Sequence, residues 1–228
     1  MATSPDASSS AAAIAARLER LRKHDAESLR RLRRRVSAET AKLEPRQILS
    51  LADALLRTGA RGRHVVAFEL IAQHDGAMAA VRAADLKRLG AGMASWGEVD
   101  LFALVAGRAW RNGQITDRTV AGWAGSANRW WRRAALVSTV PLNVRAQGGT
   151  GDAERTLGVC LLLVGDRDAM VVKAMSWALR ALAVRDPGAV RAFLAENGDT
   201  LAALVVREVR NKLETGRKAG RPKGEGAG

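Results

Sequence analysis

Apolar residues recur along most of this chain at spacings of three and four, the period of a helix with one buried face. No stretch alternates as a half-buried strand would. Ile14, Leu18 and Leu21, then Leu29, Leu32 and Val36 beyond Asp25, predict two helices or one interrupted helix. Pro45 opens a further helix through Ile48, Leu51, Leu55 and Leu56 that stops at Gly59, and Val65 to Ile71 supply its hairpin partner, ending near Asp75 and Gly76. The same alternation of helix and short turn predicts helices over 78–89, 96–111, 117–123, 128–140, 152–164, 168–184, 187–196 and 200–212.

Two of these segments read as copies of one unit. Asn128-Arg129-Trp130-Trp131-Arg132-Arg133-Ala134 and Asp168-Ala169-Met170-Val171-Val172-Lys173-Ala174 align at an offset of about 40, the period of HEAT-type helix pairs. Arg133 then matches Lys173. A small Ala permits close helix packing, and a basic residue beside it suits an inner, concave surface. The fold class expected is all-α, an α-solenoid or superhelix of HEAT-like antiparallel helix pairs with a concave basic groove. Two unrelated amphipathic helices would be the alternative.

The ends differ in character. Residues 1–13 are expected to be a disordered lead-in, 14–213 the helical-repeat domain and 214–228 a basic disordered tail. Gly148-Gly149-Thr150-Gly151 is glycine-rich, but no strand precedes it and no GK[ST] follows, so it reads as a connector rather than a phosphate loop. In the tail, Gly220-Arg221-Pro222-Lys223 resembles the core of a minor-groove-binding AT-hook, with Lys223 where another Arg is usual. A plain solubilising tail is the other reading.

Charge narrows the partners. The net charge of +14 favours polyanions, nucleic acid before membrane, although arginine bias with a solvated surface gives the same balance. Arg30-Arg31-Leu32-Arg33-Arg34-Arg35 could equally be a solvated face or lie along phosphates. Cys160 is the only cysteine, so no intramolecular disulfide is possible and a reducing, cytoplasmic setting fits. His24, His64 and His74 fall into no metal-ligand spacing; neither metal nor cofactor is expected. Short apolar runs argue against a transmembrane helix, and a monomer is expected.

The candidate chemistry lies in the Trp-bearing half. All six tryptophans fall between Trp96 and Trp177, and the chain has no Tyr and three Phe. In Ser95-Trp96-Gly97-Glu98-Val99-Asp100 an indole and a carboxylate stand at i and i+4 and share a helix face. Such a face holds a cation, through the ring quadrupole and the carboxylate charge; an ordinary core Trp followed by a surface Asp has the same spacing. Arg129, Arg132 and Arg133 lie within one turn of the next segment, and Lys173, Trp177 and Arg180 follow at i, i+4 and i+7. If inner helices line one groove, these groups converge; if they do not, the indoles are core and the cations a solvated face.

With these three blocks in order, the chain resembles the AlkD-like DNA alkylation repair family, from about Gln47 to Lys212. The carrying residues are Ser95 to Asp100, Ser126 to Ala135, and Lys173 to Arg180 followed by Asp186-Pro187 and Arg207-Glu208. The resemblance implies a HEAT-like superhelix that acts as a glycosylase on N3- and N7-alkylated purines, such as 3-methyladenine and 7-methylguanine, in double-stranded DNA. It implies Asp100 as the catalytic carboxylate, Trp96 and Trp177 as the indoles, and Arg133 as a phosphate contact, with the enzyme working from the backbone side rather than flipping the base. The segment Arg30 to Pro45 departs from the family pattern in having no Tyr, Phe or Gly.

The chemistry agrees with that role. An alkylated purine is already cationic, so the barrier lies in the oxocarbenium-like charge on the sugar. A carboxylate such as Asp100 could stabilise that charge and position water, while Arg133 and Arg180 clamp phosphates and Arg129, Arg132, Lys173 and Arg221 add DNA affinity. The family also includes members without glycosylase activity, so a non-catalytic helical-repeat scaffold for nucleic acid or protein is the alternative.

Overall fold

Helix caps decide where the elements begin. In the computed structural model, which describes residues 6–23 and 25–219, α-helices alternate with turns and no strand forms among the described residues. The chain divides into two compact units between Ile115 and Thr116.

The first unit holds α1 (Ala7–Glu19), α2 (Ala26–Thr40), α3 (Pro45–Arg57), α4 (Arg63–Gln73), α5 (Asp75–Ala80), α6 (Ala83–Leu89) and α7 (Trp96–Arg111). α1 starts inside the lead-in expected from composition, because Ala11, Ile14, Ala15 and Leu18 are buried and α1 packs on α3. Asp25 caps α2 by accepting the Ser28 N–H at 2.8 Å. At α3, Pro45 occupies the first turn and the Glu44 N–H donates to Gln47 Oε1 at 2.9 Å. Gly62 opens α4 at φ +83°, where a Cβ would also meet Leu29 at 2.7 Å. The core of this unit includes Leu18, Ile48, Leu55, Phe68, Phe102 and Trp110.

The single helix expected over 78–89 is two. The chain breaks between α5 and α6 because Asp85, only 4 % exposed, caps the second piece. Its Oδ2 accepts the Arg82 N–H at 2.9 Å and Arg46 Nη1 at 3.0 Å. Gln114 Nε2 takes the carbonyls of Met78 and Val81 that the break releases, at 2.7 and 3.1 Å. These partners are distant in sequence, so local periodicity does not reveal the break.

The second unit holds α8 (Asp117–Ala124), α9 (Arg129–Val137), α10 (Val140–Asn143), a 3-10 turn (Arg145–Gln147), α11 (Ala153–Leu162), α12 (Ala169–Leu182), α13 (Pro187–Asn197) and α14 (Ala203–Thr215). α9 ends short of the expected Val140, because Pro141 has no N–H to give the Val137 carbonyl. α12 packs against α9, α11 and α14. The repeat read from the sequence is visible in its caps: Asn128 Oδ1 accepts the Trp130 N–H and Asp168 Oδ1 the Met170 N–H, both at 2.8 Å.

The Gly148 to Gly151 segment is a connector into α11. A Cβ on Gly149 would lie 2.6 Å from the Leu142 and Pro141 carbonyl oxygens. Arg185 fastens it, donating to the carbonyls of Asn143 and Gly149 at 2.9 Å each. Cys160 is fully buried in α11, and burial pushes its thiol far above the usual range, so it packs as an inert apolar side chain.

Candidate active site

Ser95 sets the start of α7. Its hydroxyl accepts the Glu98 N–H at 3.4 Å, while Glu98 Oε2 reaches back to the Ala94 N–H at 2.8 Å. Glu98 also points Oε1 toward His64 Nδ1 of α4, 3.3 Å away. The first turn of α7 is therefore tied both to its own entry loop and to a neighbouring helix. Burial lowers the His64 pKa, Glu98 raises it, Arg63 lowers it, and the net effect is downward. His64 stacks on Phe68, which meets Phe102 of α7 edge to face at 6.0 Å. At the far end, Arg108 Nη1 donates to the Ala72 carbonyl at 2.7 Å.

On this fixed helix Trp96 is the first residue and 61 % exposed, an unusual position for the largest apolar side chain. Asp100 stands one turn further and is half-buried. The residues between them and below, Val99, Phe102 and Ala103, are buried, so the i and i+4 pair sits on the side away from the core contact. Ser95, Glu98 and His64 were absent from the predicted site. The pattern Ser95-x-x-Glu98 is a capping-box signature and could have exposed two of them; the contact with His64 is tertiary.

In the second unit the predicted phosphate ligands divide into two groups. Arg132 Nε bonds Asp166 at 2.7 Å and its Nη1 donates to the Ser126 and Ala127 carbonyls at 3.1 and 2.8 Å. Arg133 is 5 % exposed and donates to the Met170 carbonyl at 2.7 Å. Both guanidiniums join α9 to the entry of α12. Arg180 donates Nε to Ser176 Oγ at 3.1 Å and lies 3.9 Å from Glu208; burial lowers its pKa, Glu208 raises it, and burial prevails. Arg129 is exposed, stacks over Trp130 at 4.8 Å and lies 3.4 Å from Asp168. Burial raises the Asp168 pKa, but the Met170 N–H and Arg129 outweigh it and hold the carboxyl below its usual range.

Lys173 and Trp177 share a face of α12 at i and i+4, the lysine exposed and the indole half-buried. Lys173 has no ion-pair partner among the described residues. The sequence match between Arg133 and Lys173 thus does not extend to their surroundings: one is buried behind α12, the other faces solvent. Of the remaining indoles, Trp110 lies in the core and Trp123 packs against Trp131 at 5.4 Å. Arg221 lies outside the described residues. Among the described residues no group of His, Cys, Asp and Glu could hold a metal ion, and no helix is long and apolar enough to cross a membrane.

A cap-defined helical repeat with paired indole, carboxylate and cation faces describes an all-α repeat protein. Residues 11–213 match the DNA alkylation repair enzyme family, and the chain belongs to that family. Its fold is similar to that of a protein from Enterococcus faecalis described as a predicted DNA alkylation repair enzyme. That likeness has a TM-score of 0.70 and 19 % identity, and covers 91 % of this chain and 96 % of the other. No significant match is found among curated proteins.

Proposed function

We propose that this DNA alkylation repair protein is a glycosylase that releases cationic N3- and N7-alkylated purines from duplex DNA by hydrolysing the N-glycosidic bond. One observation carries the reading: an indole exposed at 61 % stands one turn from a half-buried carboxylate on a helix whose first turn is fixed by Ser95 and Glu98. An exposed indole gives nothing to the core. It does give a cationic base or sugar a ring face, with a full negative charge one turn away.

Departure of the alkylated purine takes the bonding electron pair and neutralises the base, so no proton donor is required for the leaving group. The positive charge passes to the sugar, where Asp100 stabilises it. Water then adds at the sugar carbon and gives up its proton to solvent, leaving an abasic sugar and neutral free base. Trp96 contacts the damaged nucleotide; the family resemblance gives Trp177 the same role. Lys173 and Arg129, both exposed, are assigned to phosphates, while Arg132 and Arg133 tie α9 to the entry of α12.

The test is release of free base from a duplex carrying a single N7-methylguanine or 3-methyladenine. Wild-type protein is expected to release it, and Asp100→Asn to lose about 100-fold or more while duplex binding persists. No release above the spontaneous rate from either lesion overturns the reading. The alternative reading, a non-catalytic helical-repeat scaffold for nucleic acid or protein, predicts no release from either lesion.

A further inference from the structure

Glu208 has no part in the lesion chemistry, yet it reaches from α14 into α12. Its Oε2 accepts the Ser176 hydroxyl at 2.6 Å, and Ser176 is fully buried. The same hydroxyl oxygen accepts Arg180 Nε at 3.1 Å, while Arg180 itself lies 3.9 Å from Glu208. Lys218, past the end of α14, comes within 3.3 Å of the other carboxylate oxygen, Oε1. α14 already packs on α12 and buries Val205 and Val209. Taking a carboxylate and a guanidinium out of water costs free energy that apolar side chains of similar volume would not. Joining two helices does not call for such a cluster.

The cluster does set the state of Arg180. Elsewhere in the chain Glu39 takes Arg17 directly in a two-pronged bond, 2.6 and 3.1 Å, and so occupies its fork. At Arg180 a serine stands between the charges. Nε is engaged, whereas Nη1 and Nη2 meet no hydrogen-bond partner among the described residues. Glu208 fixes the direction of the hydroxyl by accepting its hydrogen, the hydroxyl oxygen fixes the guanidinium at one N–H, and both amino groups remain for an anion. Arg180 is half-buried, which limits its freedom to turn. A planar fork held at its inner end and open at its outer one matches the paired oxygens of a phosphate.

We propose that Glu208 is a positioning residue, which through Ser176 aims the open fork of Arg180 at one phosphate of the DNA that carries the lesion. The proposal rests on DNA being the partner and Arg180 a phosphate ligand. It does not require base release. Charge alone predicts the reverse: loss of an acid from a DNA-binding face should tighten binding, whereas loss of a positioning acid should weaken it.

The experiment compares full-length wild type, Glu208→Ala, Glu208→Gln, Arg180→Ala and the double variant Arg180→Ala/Glu208→Ala for binding to a duplex with one tetrahydrofuran analogue of the abasic product, across a salt series. Arg180→Ala should weaken Kd about tenfold and lower the slope of log K against log salt by about 0.9, one phosphate. Glu208→Ala should approach the same loss of affinity. Glu208→Gln, whose amide oxygen still accepts the Ser176 hydroxyl, should keep most of it. In the Arg180→Ala background the Glu208→Ala change should add less than about twofold, because its partner is gone. A role in folding alone would weaken binding equally in both backgrounds. If Glu208→Ala melts below the assay temperature, Ser176→Ala, which removes the middle oxygen, takes its place in the same cycle. The proposal is overturned by a Glu208→Ala variant that binds as tightly as wild type or tighter, by equal losses in the two backgrounds, by an unchanged salt slope in Arg180→Ala, or by wild type that does not bind the duplex. Single-turnover base release from a methylated duplex separates the two readings: its absence in wild type defeats the glycosylase assignment, while the binding cycle still decides Glu208.

Discussion

His64 Nδ1 of α4 lies 3.3 Å from Glu98 Oε1 in the first turn of α7. The same carboxylate accepts the Ala94 N–H, so an imidazole on one helix buttresses the turn that carries Trp96. Burial, the larger influence, holds the His64 pKa below its reference value of 6.5 against the pull of Glu98. The unfolded chain takes up a proton near pH 6.5, before the folded one does. The resulting stability is fully present above about pH 6.5 and is lost as pH falls through the lower folded value. Denaturant unfolding between pH 5 and 7.5 should show this decline, and His64→Gln should flatten it. An unchanged slope in the variant would show that other groups cause the decline.

Loss of the cap should be felt in the same place. Glu98→Ala removes an acceptor for the Ala94 N–H and the partner of His64, and is expected to cost about 1 kcal/mol. If the first turn of α7 positions Asp100, base release should fall by more than that loss of stability explains at a temperature where the variant remains folded. Retained release would place Glu98 in folding alone.

Two tryptophans on α7 should behave oppositely. Trp96, 61 % exposed, is expected to change stability by less than about 0.5 kcal/mol on substitution with Ala. Its loss should slow base release about tenfold, since a cation held over a ring gains about 1 to 2 kcal/mol. Trp110 is 1 % exposed, and Trp110→Ala should cost about 3 to 5 kcal/mol. Thermal unfolding and single-turnover release measured together separate these outcomes.

Arg132→Ala tests whether α9 and α12 depend on a shared guanidinium. The change leaves Asp166 without its 2.7 Å partner and frees the Ser126 and Ala127 carbonyls. Because the ion pair is partly exposed, a loss of about 2 kcal/mol is expected. If Arg132 acted only on DNA phosphates, stability would not change and the salt slope alone would fall.

Gly149→Ala should destabilise the second unit by about 2 to 3 kcal/mol. The added Cβ meets the Leu142 and Pro141 carbonyls at 2.6 Å, and backbone cannot turn aside as a side chain can. Gly122→Ala is the control, since no atom lies within 4 Å of its Cβ position. Similar melting temperatures for both variants would contradict the tight connector.

Much of this protein follows from the chain alone. Three- and four-residue spacing gave helices and no strands because one-sided burial imposes the 3.6 period locally. The offset of about 40 residues is matched by like caps at Asn128 and Asp168, each formed with the N–H two residues on. The Trp96 and Asp100 pair was legible for the same reason, as was the end of α3 before Gly59. Tertiary structure decided what depends on distant partners. Asp85 split a continuous helical pattern by joining Arg46 across 39 residues. Arg133 and Lys173 occupy matching positions in their repeats, yet packing against α12 buried one and left the other in solvent. Periodicity states that a helix has two faces; which face meets another helix, and which cations remain available for phosphate, is fixed only by the neighbours that folding supplies.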